Sequence, residues 1–221
     1  MKNHKRLIWL CPKVKVAVGG VKVIYRQASI ADQLLSAGGD GISFVLHPAH
    51  PFYRVNWMDS GAKVENRMFR PRRRNGRLSF DSVKNEFDKS LDTLVVPEWL
   101  AADYGAQLAV LNIPYIIYVQ NGYLINRGDP AELDAAYRGA KLLLSISDDA
   151  SECIKMAFPG VEDKLVRMHY SLDHVPRPVL HKQNLITYMP RKLSDHSQKL
   201  IFLLRHRLPT DWSICPVHGV S

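Results

Sequence analysis

Apolar residues in this chain fall into short unbroken runs, separated by stretches in which they recur every three or four positions. Residues 6–11 (RLIWLC) form the first run, closed by Pro12. Ile24, Ala28, Ala31 and Leu35 follow at helical spacing, and Gly38 and Gly39 stop the helix they predict. Residues 42–46 (ISFVL) are the next run. The pattern predicts a strand–helix–strand unit with the pair Gly19–Gly20 at the strand-to-helix turn.

Residues 47–90 break the rhythm with prolines, many charges and weak periodicity. A segment of this length is a functional loop or partly disordered. One short edge strand is expected near Val55–Met58. Alternation then resumes, with strands at 91–96 (LDTLVV), 114–120 (PYIIYVQ), 141–146 (KLLLSI) and 164–169 (KLVRMH). Leu100 to Leu111 is a helix rich in Ala and Leu, and Asp129-Pro130-Ala131-Glu132 is a helix start. There Asp can cap, Pro suits the first helical position and Glu can reach back to a free amide. Ser147 caps a helix running to Phe158, Asp148 and Asp149 suit its positive end, and Gly160 ends it.

Strands buried on both faces read as continuous apolar runs. Their alternation with helices predicts an α/β fold, a doubly wound parallel sheet of about six strands. That domain covers residues 1–172, and the proline-containing stretch 173–183 is a linker. Residues 184–221 open a second strand–helix–strand unit. Its strands are 185–189 and 212–215, and its helix starts at Ser194 with Leu200, Leu203 and Leu204 on one face. Two parallel strands and one helix leave a sheet face and both edges uncovered. This unit is therefore expected either to pack on the first domain or, the favoured reading, to continue in a longer parent chain.

Composition narrows the class only a little. At 46% apolar and 23% charged residues, the chain is an ordinary globular protein. Cys11, Cys153 and Cys215 form no CxxC pair, which gives no support to a zinc or redox site and suits a reducing compartment. No apolar stretch is long enough to cross a bilayer, and the five-residue apolar run near the start is too short for a signal peptide. The expectation is a cytoplasmic protein. A formal net charge of +9 favours anionic partners. Six arginines crowd into residues 67–77, either a solvated loop or a patch that steers an anionic acceptor or touches the inner membrane face. No recognition motif or aromatic platform accompanies them, so nucleic acid is not expected as a partner. The first turn also lacks GxGxxG, against a nicotinamide dehydrogenase.

Four segments carry a resemblance: CPKVKVAVGGVKVIYRQ at 11–27, VVPEW at 95–99, YVQNGY at 118–123 and SISDDASECIKMAFPGVEDKLVRMHYSLD at 145–173. Their order resembles the GT-B glycosyltransferases, in particular the retaining group 1 sugar transferases, over nearly the whole chain apart from 47–90. The resemblance implies two facing Rossmann-like domains. The first would bind a glycan or lipid-linked acceptor and the second a nucleotide-sugar donor. It implies no metal and no cofactor besides that substrate.

On that resemblance, Gly19 and Gly20 let backbone amides and a helix N-terminus approach a phosphate or hydroxyl. Glu98, just beyond a strand, either accepts bonds from sugar hydroxyls or is a carboxylate favoured at a helix start. Gln120 and Asn121 stand where relatives carry a histidine; they either bind hydroxyls or serve the Asn-Gly turn, and they cannot act as a general base. Beyond the linker, NLITYMPRKLSDHSQKL resembles the opening of the donor domain, where Arg191 and Lys192 would grip the donor diphosphate. The family's donor-side carboxylate motif lies beyond residue 221, so the chain alone is expected to lack transferase activity. The competing expectation is a non-catalytic carbohydrate- or anion-binding remnant.

Overall fold

The computed structural model describes residues 4–67, 69, 72–74, 77–80, 86–170, 181–188 and 194–217. The chain divides into two units, Met1–Tyr170 and Ser171–Ser221.

In the first unit, β1 (Lys5–Leu10) leads into α1 (Gly19–Gly38) and back to β2 (Gly41–Leu46). Gly39 ends α1 with φ 68°, a left-handed cap whose N–H turns back to Leu35 and Ser36 carbonyls. A hairpin of β3 (Arg72–Arg74) and β4 (Arg77–Ser79) interrupts the alternation. Then follow β5 (Asp92–Pro97), α2 (Ala106–Val110), β6 (Tyr115–Val119), α3 (Pro130–Gly139), β7 (Leu142–Ser145), α4 (Asp148–Ala157) and β8 (Leu165–Arg167). Six of these strands form one parallel sheet in the order β2-β1-β5-β6-β7-β8. The protein is thus α/β, with a doubly wound, Rossmann-like sheet.

Alternate residues of each strand feed two cores. Ile8, Leu10, Leu94, Val96, Ile117, Val119 and Leu143 pack with α2, α3 and α4 residues such as Leu108, Leu133, Tyr137 and Ile154. Trp9, Cys11, Val95 and Tyr118 pack on the other face, against Val21, Ile24, Tyr25 and Ala28 of α1. Burial on both faces explains why the strands read as unbroken apolar runs. The helix starts are those the sequence signals: Asp129 accepts from the N–H groups of Ala131 and Glu132, and Ser147 from that of Ala150.

Three expectations need correction. Val55–Met58 is not a strand; Val64 instead bridges to Val45, with Val45 N–H donating to Lys63 O and Glu65 N–H to Val45 O. Those bonds occupy the outer edge of β2, while Val55, Trp57 and Met58 pack as loop residues on the α1-side core. The helix expected over 100–111 is a 3₁₀ turn (Glu98–Leu100), a π turn (Ala101–Gly105) and then α2. A Cβ on Gly105 would lie 2.9 Å from that of Ala136, so α3 presses on the chain where its winding changes. The third concerns the second unit, below.

The pairing of β3 with β4 has a sequence signal: Asn75-Gly76, a two-residue hairpin dipeptide, stands between the paired Arg74 and Arg77. Phe69, Phe80, Phe87 and Tyr104 meet edge to face nearby, with ring centroids 5.1 to 5.9 Å apart. The anion or membrane contact expected of 67–77 falls largely on side chains outside the described residues.

In the second unit, β9 (Leu185–Tyr188) and β10 (Ser213–Pro216) pair in parallel, joined through α5 (Ser194–Arg205). Leu200 and Leu203 are more than half exposed. The partly buried stripe is Ser197, Ile201, Leu204 and Leu208, so the inward face is rotated from the one expected. Apolar residues at 200–204 run almost unbroken, and such a run does not specify which of its sides faces the sheet.

Candidate functional site

From β2 the chain crosses over β1 to reach β5, so β1 has β2 on one side and β5 on the other. The connections leaving β1 and β5 therefore run in opposite directions and leave a crevice at the carboxyl ends of these strands. Gly19 and Gly20 lie beyond β1, Glu98 directly follows β5, and Gln120 follows β6.

These residues meet. The Gln120 side-chain amide donates to the Gly20 carbonyl at 3.3 Å, across 100 residues of sequence. The Gln120 backbone N–H donates to Glu98 Oε2 at 3.2 Å. A Cβ on Gly20 would lie 2.8 Å from Gln120 Oε1, so a larger residue there would push the Gln120 side chain aside; at Gly19 a Cβ would meet nothing within 4 Å. Asn121 is half-buried, and its Oδ1 accepts the Tyr123 N–H at 2.9 Å, capping a 3₁₀ turn.

Glu98 is only 2% exposed. Burial pushes its carboxyl up to about 7, against N–H groups of Gln120, Glu98 itself and Asn121 that favour the charged form. The carboxyl thus holds the 120–121 backbone at the strand end, and the Gln120 side chain is what reaches Gly20. At the start of α1, Val18 supplies no side-chain cap and the first turn holds no acidic residue. Its leading amides are open to an anion or a hydroxyl.

A cavity of about 260 Å³ opens at this point. Pro12, Val14, Val18, Gly20, Val21 and Ile24 line it from the β1 side. Trp99, Gln120, Leu124 and Arg127 line it from the segments after β5 and β6.

Sequence reasoning missed His47, one residue past β2 and 1% exposed. Its Nδ1 lies 2.9 Å from the Cys11 carbonyl and its Nε2 lies 2.6 Å from the Tyr25 hydroxyl. A carbonyl only accepts, so Nδ1 carries the proton and Nε2 accepts from Tyr25. Burial pushes this histidine down to about 4, keeping it neutral. Tyr53 packs edge-on against its ring and donates through its hydroxyl to Val14 O at 2.8 Å. Together they tie the loop after β1 to α1 and β2. The strand-end rule that singled out Glu98 applies equally to His47 and was the available signal.

Arg191 and Lys192 lie outside the described residues. Among the described residues no three His, Cys, Asp or Glu side chains cluster to hold a metal, and no helix is long and apolar enough to cross a membrane. No protein-family model matches the chain, and no curated protein sequence matches it significantly. The fold and site themselves define the class: a Rossmann-like α/β domain with a lined crevice at the point where its strand order reverses.

Proposed function

We propose that residues 4–170 form the acceptor-binding domain of a GT-B type glycosyltransferase that takes its sugar from a nucleotide-sugar donor. The observation that carries this reading is the meeting of Gly20 and Gln120 at the wall of a cavity at the switch point, with Glu98 holding the Gln120 backbone behind it. Open α/β sheets bind ligands there. In this reading Gln120 offers an amide donor and acceptor to acceptor hydroxyls, Asn121 holds the turn beside it, and Glu98 keeps both in register. The leading amides of α1, with Gly19 exposed beside them, face the phosphate or hydroxyl side of the reacting pair. Arg191 and Lys192 would neutralise the departing diphosphate. The nucleotide-sugar is a substrate, and no metal or further cofactor enters the proposal.

Titration of the chain with methyl glycosides of glucose, galactose and mannose tests the acceptor half. Binding that falls at least about tenfold in Gln120→Ala is expected, the loss of one or two hydrogen bonds from a buried site. Absence of binding to every glycoside, or affinity untouched by Gln120→Ala, overturns it. For the donor half, UDP-glucose and GDP-mannose binding is expected to weaken in Arg191→Ala.

A non-catalytic carbohydrate-binding module is the second reading. It is favoured by the engagement of Glu98 with backbone amides, which leaves the cavity wall without a carboxylate among its described residues. Glycoside binding without sugar transfer in the full-length protein would select it.

A further inference from the structure

The cavity's walls are nearly all hydrocarbon, which bears on what the acceptor carries. Pro12, Val14, Val18, Val21, Ile24 and Leu124 present no hydrogen-bonding side chain. Apart from the Trp99 indole, the hydrogen-bonding side chains among its described lining are Gln120 and Arg127, both from the stretch after β6. We propose that this cavity takes an apolar group of the acceptor, a single ring or short hydrocarbon, joined to the hydroxyl-bearing part that Gln120 meets. This rests on the acceptor-domain reading and narrows it from a glycan or lipid-linked acceptor in general to one with a compact apolar substituent.

Size and desolvation both point this way. The volume of about 260 Å³ exceeds the roughly 150 Å³ that accommodates benzene in an apolar cavity. It falls just short of the roughly 300 Å³ at which pockets for whole drug-sized ligands begin. One substituted ring fits, whereas an oligosaccharide does not. A bare sugar pushed among these side chains would also strand hydroxyls without hydrogen-bond partners. An apolar ring loses nothing of that kind and gains from leaving water. Gln120, fixed by its bond to Gly20 O and by the Glu98 contact to its backbone, then sets which end of the ligand meets the polar stretch.

The test is calorimetric titration of the full chain with matched pairs, phenyl and methyl β-glycosides of glucose, galactose and mannose. The phenyl member of at least one pair is expected to bind about tenfold or more tightly, as burial of one ring predicts. Val14→Phe and, separately, Val18→Phe fill the cavity from half-buried positions. Each is expected to abolish the phenyl preference, bringing phenyl affinity down to that of the methyl glycoside. Equal affinity within every pair overturns the inference and leaves the acceptor-domain reading standing. A phenyl preference that survives both substitutions also overturns it, since the ring would then sit elsewhere. Failure of all six compounds to bind overturns both.

Discussion

The backbone N–H of Gln120 donates to the buried carboxyl of Glu98, which stands 22 residues earlier, at the end of the neighbouring strand. Burying this carboxyl carries an electrostatic cost that the contact only partly offsets. A carboxyl raised from 4.5 to about 7 is held proton-bound more tightly in the folded protein than in the unfolded chain. Stability from this group is therefore full below pH 4.5 and declines as pH rises through 7, by about 3 kcal/mol in all. His47 has the opposite sign. Lowered from 6.5 to about 4, it contributes stability that is full above pH 6.5 and lost as pH falls through 4.

The two slopes oppose each other between pH 4.5 and 6.5, so each is expected to emerge when the other group is removed. Glu98→Gln, which imitates the neutral acid, is expected to steepen the gain of stability from pH 4.5 to 6.5 and to remove the wild-type loss between 6.5 and 7. Urea unfolding across that range measures it. An unchanged profile would mean that Glu98 is not held protonated.

His47→Gln is expected to reveal the Glu98 slope, with stability declining steadily from pH 4.5 to 7. The variant should also lose about 1–2 kcal/mol at pH 7 through weakened bonds to Cys11 O and Tyr25. Tyr25→Phe provides a check, since it removes the donor to Nε2 and leaves the ring in place.

The two glycines of the first turn should respond differently to alanine. Gly19→Ala meets open space and is expected to be neutral or to stabilise by up to about 1 kcal/mol, because glycine is costly in a helix. Gly20→Ala displaces the Gln120 side chain, and is expected to weaken glycoside binding with little change in melting temperature. Paired thermal melts and titrations separate the two effects.

At the opposite end of the same strands, Arg6 donates two bonds to Asp92, at 2.5 and 2.7 Å, and the Asp88 N–H donates a third at 2.8 Å. The Asp92 side chain is fully buried and that of Arg6 is 31% exposed. Asp92→Ala is expected to cost about 2–4 kcal/mol by leaving Arg6 and the Asp88 amide without their partner. Its effect on glycoside affinity should be small, because the pair lies at the amino end of the sheet, away from the cavity.

Much of the first unit was legible in local pattern. Unbroken apolar runs marked strands covered on both sides, and Asp129, Ser147 and Gly39 marked helix ends through bonds formed within a few residues. Local signals failed where distant packing decided. The crowding of Gly105 by Ala136 belongs to a helix pair, and the rotation of α5 to whichever side of an apolar run meets its sheet. The bridge of Val64 to Val45 arose from a segment with no strand rhythm of its own.

By itself, the sequence determined the class of fold, the six strands of the main sheet and which loops leave their carboxyl ends, because hydrophobic periodicity and capping are properties of neighbouring residues. Only the tertiary structure decided that Gln120 reaches Gly20, that Glu98 turns inward onto amides, and that His47 locks the first loop. Those outcomes depend on the order in which strands lie side by side and on how deeply that order buries each polar group, and neither is written in any short stretch of chain.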